Sequence, residues 1–240
     1  MRRLRSLLLI WLVLLAPNAW AAVAFDAYTS SAETTGDISF DHVPVGTVKG
    51  VIVHVIQNGI TVPGVLGVTA DGVALTEVAD SPVTNTTGEL GETSTWFLGS
   101  SVPSGTLTIA VDAILGTEVG IAGCTTLTAD QDTSVVDTAS VLSNSDDNPA
   151  TTLSLGGVSC FAMIGAWSGL GNLSMSPFSG WTQRLEHDFG NQNGLVYTYD
   201  TVGTTDVTAG YTAGSDDVAM HAIAVRENAA GGGATGAQVF

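Results

Sequence analysis

The sequence predicts an all-β fold, a single jelly-roll-like (concanavalin-type) sandwich of two antiparallel sheets, and three observations carry that expectation. Apolar residues recur in short runs at strand spacing, and no stretch after the N-terminal segment has an apolar stripe at helical spacing. Turn dipeptides separate the runs at roughly ten-residue intervals. The composition, with 29 glycines, suits short strands and tight connections.

Taken in order, the first strand is expected over 38–40, followed by 51–56 (VIVHVI), which is apolar on both faces apart from His54. Such a run belongs at the centre of a packed sheet. Asp71-Gly72, between Val68-Thr69 and Val73-Ala74-Leu75, is the dipeptide that best supports a tight type I′ hairpin. Further strands are expected over 95–98, 107–111, 119–127, 158–167, 195–199 and 218–225. Asn58-Gly59, Pro103-Ser104-Gly105 and Asn193-Gly194 supply turn chemistry between them.

The N-terminus reads as a secretory signal peptide, residues 1–21: Arg2, Arg3 and Arg5, an apolar run over 7–16, then Pro17 and Ala19-Trp20-Ala21. The apolar run is too short for a membrane span. The chain is therefore expected to be exported, to the cell surface, the extracellular space or the periplasm. Removing that segment leaves Lys49, Arg184 and Arg226 against 23 acidic residues, a net charge of about −20. A surface of that sign repels phosphates, which argues against nucleic acid and anionic lipid as partners. The sandwich is expected over 22–228, before a Gly/Ala-rich tail at 229–240. The richest polar interruption, SNSDDNP at 143–149, has only a loop's length.

Four segments, VKGVIVHVIQNG, VTADGVALTEV, STWFLGSSVPSGTLTIAV and DDVAMHAIAVRE, resemble β-sandwich domains of secreted bacterial proteins and of phage virion or tail proteins. The resemblance spans roughly residues 36–227 and implies the jelly-roll-like sandwich. It carries over no catalytic residues, and the signal peptide favours an exported cellular protein.

Chemistry is sparse in the sequence. GAWSGLG at 165–171 has Ala166 where a nucleophile elbow needs its first glycine. His42, His54, His187 and His221 lack metal-ligand spacing, and His54 and His221 lie inside apolar strands as core histidines. Glu186, His187 and Asp188 are consecutive, and neighbours on a strand point to opposite faces. No catalytic residues are assigned, and no cofactor is required. Asp130 and Asp132, Asp146 and Asp147, and Asp216 and Asp217 are oxygen-rich loop clusters of the kind that form weak extracellular calcium sites. Trp181, after the loop SPFSG, is the candidate exposed aromatic for stacking on a sugar ring, whereas Trp96 and Trp167 read as core. Cys124 and Cys160 are the only cysteines. Export allows a disulfide between them, worth roughly 4 kcal/mol for a loop of this length, and the alternative is two buried free thiols.

The expected function is a non-catalytic structural or adhesive unit, in a surface, extracellular or virion assembly, working by self-association or contact with other surface proteins. A calcium-assisted carbohydrate-binding module is the alternative, and a secreted polysaccharide or ester hydrolase ranks third.

Overall fold

A computed structural model describes residues 22–59, 64–113, 119–146, 148–169, 175–203, 205–212 and 217–229; the segment expected to be a signal peptide, most of the tail, Asp147 and Asp216 lie outside them. The fold is all-β. Eighteen strands form four sheets, all paired antiparallel, and no helix occurs among the described residues.

The first half of the chain contributes β1 (Ala24–Ser30), β2 (Ile38–His42), β3 (Val48–Asn58), β4 (Val65–Ala70), β5 (Val73–Ala74), β6 (Thr76–Glu77), β7 (Val83–Asn85), β8 (Gly91–Leu98), β9 (Leu107–Ala113) and β10 (Val119–Thr128). Its inner sheet runs β1-β10-β3-β8-β6, with β7 also on β8, and its outer sheet runs β2-β9-β4-β5. The second half contributes β11 (Thr133–Ser143), β12 (Ala150–Leu153), β13 (Cys160–Ser168), β14 (Ser176–Pro177), β15 (Thr182–Asp188), β16 (Asn193–Val202), β17 (Val207–Thr212) and β18 (Val218–Glu227). Its inner sheet runs β11-β18-β13-β16-β15, and its outer sheet β12-β17-β14. Replacing β1, β2, β3, β4, β6, β8, β9 and β10 by β11 to β18 in order converts the first pair of sheets into the second. The chain is thus two halves with one strand order.

Three apolar cores hold these sheets. Val51, Val53 and Val55 of β3 pack with Ile38, Val68, Ile109 and Val111 between the first inner and outer sheets. Ala162, Ile164 and Ala166 of β13 pack with Leu153, Ala209 and Tyr211 between the second pair. The remaining faces of the same strands meet each other, Ile52 and Ile56 of β3 packing with Phe161, Met163 and Trp167 of β13. The layers therefore stack outer, inner, inner, outer.

This corrects the expectation of one two-sheet sandwich, and the physical reason is visible in β3 and β13. Both are buried along almost their whole length, on both faces. A two-sheet sandwich covers only one face of each sheet, so strands apolar on both need a further layer. The connection between halves is 129–132, whereas SNSDDNP joins β11 to β12 inside the second half. Asp71 and Gly72 have φ of 48° and 77°, and Ala70 pairs with Val73, as the predicted type I′ hairpin requires.

Candidate functional site

The seam between the inner sheets holds the most unusual polar groups. His54 lies opposite Thr95 on β8 and Gly123 on β10, and its Nδ1 is 2.7 Å from the Thr95 hydroxyl. β13 crosses directly over the ring, because a Cβ on Gly165 would lie 2.5 Å from that Nδ1. Gly165 in turn is the register partner of His221 on β18. Each half thus pairs one histidine with one glycine, but on exchanged strands. His221 Nε2 donates to the Ala79 carbonyl at 2.9 Å, which joins the second half to the first. His54 Nε2 and His221 Nδ1 are buried with no partner. Burial, and secondarily the neighbouring His221, pushes His54 down to about 3, and burial also lowers His221.

Polar contacts rim the seam. Arg184 lies 3.7 Å over the Phe25 ring while its guanidinium bonds Thr198 and Asp200. His187 meets Glu33 at 2.7 Å, and Thr138 donates to Asp80 at 3.0 Å.

A second polar group lies in the first core. Gln57, Glu92 and Thr84 are successive register partners across β3, β8 and β7. Glu92 is fully buried; its carboxylate accepts from the Thr84 hydroxyl at 2.7 Å and the Gly64 amide at 3.3 Å. Burial raises its pKa despite those bonds. The Gln57 amide, also fully buried, has no partner at either end. Toward the other end of the same sheet, Thr126 donates to Asp26 at 2.8 Å and accepts from His42 Nε2 at 2.9 Å. Here the hydroxyl lies between acid and imidazole. A nucleophilic triad needs the imidazole in the middle, taking the hydroxyl's proton. Asp26 also binds the Val45 and Gly46 amides, so the chain anchors the β2–β3 connection.

The residues singled out from sequence fare unevenly. Trp181, expected at the surface, is 7% exposed: its Nε1 donates to the Thr208 carbonyl and its ring meets Tyr199 edge-on at 5.5 Å. An indole flanked by apolar core needs one acceptor for its N–H, and the outer sheet supplies it. Cys124 and Cys160 are free thiols, not a disulfide, since they belong to different cores on opposite sides of the seam. Burial raises both, Cys160 to about 11. Asp130 and Asp132 are exposed in the connection between halves. Asp146 caps the Asn148 amide at 2.9 Å, and Asp217 accepts from the Glu89 amide at 2.6 Å. The four described aspartates therefore occupy three separate connections. Among the described residues no three His, Cys, Asp or Glu side chains gather as a metal site. Glu186 binds Gln183, His187 binds Glu33, and Asp188 caps Gly190, so the triplet diverges.

Sequence reasoning missed the glycines Gly91, Gly123 and Gly165. Their signal was a glycine inside an apolar strand, which marks close approach of another group. Comparison with protein-family models, with curated proteins and with solved structures finds no significant match.

Proposed function

We propose that this chain is a non-catalytic, exported structural or adhesive protein built from two jelly rolls in tandem, acting through its outer surfaces in an assembly. One observation carries the reading: the hydroxyl–imidazole pairs found among the described residues are sealed inside the molecule and committed to holding it together. The hydroxyl–imidazole pairs Thr95–His54 and Thr126–His42 are fully buried. The strand orders β1-β10-β3-β8 and β2-β9-β4, repeated in the second half, support the jelly-roll description. With few basic groups, contact between copies works through sheet edges and loops, with divalent cations bridging acidic loops.

Light scattering after gel filtration, in millimolar calcium and again in chelator, tests the proposal. A defined oligomer or polymer is expected, and one that falls apart in chelator places the acidic loops at the contacts. A monomer in both buffers, or turnover of a polysaccharide or ester substrate, overturns it.

A further inference from the structure

We propose that the seam between the two inner sheets is an acid-sensitive joint: protonation of His54 and His221 parts the two halves while each half keeps its own pair of sheets. The argument begins with position. Both rings lie in the layer where the halves meet, His54 against Gly165 and Gly123 and His221 beside Gly165, so each is covered by the opposite half or by its own neighbours and has no exposed surface.

The ring nitrogens supply the second step. His54 has one nitrogen on the Thr95 hydroxyl and His221 has one on the Ala79 carbonyl. In the doubly protonated rings His54 Nε2 and His221 Nδ1 both carry an N–H, and neither has a hydrogen-bond partner; the Ser94 backbone offsets the burial of His54 only in part. Protonation therefore creates a buried N–H donor without a partner, on a charged ring.

The surrounding charges do not offset it. Around His54, β8 presents Thr95, β10 presents Gly123 with the Tyr28 hydroxyl of β1 above it, β13 presents Gly165 and β18 presents His221. Around His221, β11 presents Ser140, and the one carboxylate acting on it is the exposed Asp80. Glu92 lies on the other face of β8, Glu77 pairs with Trp96 of that same face, and Cys124 belongs to the first core. His42 differs: Thr126 links it to the Asp26 carboxylate, within the first half.

Because burial depresses both histidines, the seam is at full strength above about 6.5 and weakens as pH falls toward the folded value of about 3 for His54. At about pH 5, His54, with an ordinary value when exposed, favours the parted state about 30-fold, and His221 acts in the same direction. The connection at 129–132 keeps the halves tethered.

Small-angle X-ray scattering and far-ultraviolet circular dichroism on the protein between about pH 8 and about pH 5 test the joint. The expected result is a rise in maximum dimension with an unchanged β spectrum. In the double variant His54→Gln, His221→Gln the rise is abolished or moves down by at least about one pH unit. Should that variant not fold, histidine proton resonances of the unaltered protein replace it: two of them are expected to titrate at the midpoint of the expansion. Simultaneous loss of the β spectrum, no expansion, an unshifted midpoint in the variant, or histidines that titrate apart from the expansion each overturn the proposal.

Discussion

Trp167 is fully buried in the seam, and Gly91 is what lets it lie there, since a Cβ on Gly91 would come within 2.0 Å of the indole. Rigid cores do not absorb such an overlap without displacing a ring. Gly91→Ala is expected to cost about 2–3 kcal/mol in urea unfolding. Gly67→Ala, whose added Cβ meets nothing within 4 Å, serves as the control at within about 0.5 kcal/mol. Equal losses at both sites would count against the packing account. Glu92 gives a second residue-scale prediction. Its folded pKa is raised by burial, so its contribution is present below the ordinary value of 4.5 and lost as pH rises through the folded value. At pH 7 the ionised form is a cost, and Glu92→Gln, which keeps an acceptor for the Gly64 amide, should stabilise the protein there. The gain should vanish near pH 4. A destabilised variant at pH 7 would show that the Thr84 and Gly64 bonds outweigh the burial.

At the scale of elements, the strands legible in the sequence are those buried on both faces or bounded by turn dipeptides. β3, β10, β13 and β18 announce themselves as apolar runs because the layers on either side demand it. The edge strands β11 and β15 do not: TSVVDTASVLS and TQRLEHD are only partly covered, so their residues are mixed. The repeated strand order was hidden for a different reason. Opposed layers must complement each other, so His54 of β3 answers Gly165 of the corresponding strand β13, and similarity between the halves is lost at the seam, where each would otherwise be most recognisable. Trp181 was misplaced because a loop before it suggested exposure, whereas its N–H finds Thr208 within the second core. The hairpin at Asp71 was legible because one dipeptide determines it. Asp71 also accepts from the Thr108 amide at 2.8 Å, so Asp71→Ala loses that bond and must hold a positive φ. The expected cost is about 1–2 kcal/mol by thermal unfolding; no loss would mean that register is set by the β4–β9 pairing alone.

The whole molecule carries its acids with few opposing charges. Among the described residues the ion pairs are Arg184–Asp200 and His187–Glu33, both at the surface. Salt therefore screens little attraction and much repulsion, since partly exposed pairs are worth at most about 1 kcal/mol each. The sign of the salt effect follows: raising sodium chloride from about 20 mM to about 0.5 M should stabilise the fold, lifting the melting temperature by about 3–5 °C for a chain of this size. The same experiment in magnesium chloride at equal ionic strength separates screening from binding. Equal rises in the two salts mean screening alone, whereas a larger rise in magnesium means that acidic loops hold the cation. A fall in melting temperature with salt would show that the rim pairs, including Arg184 over Phe25, matter more to the union of the halves than the net charge does. That outcome would move the source of cohesion from the apolar seam to its edge, and the edge would become the first place to look for what an assembly partner displaces.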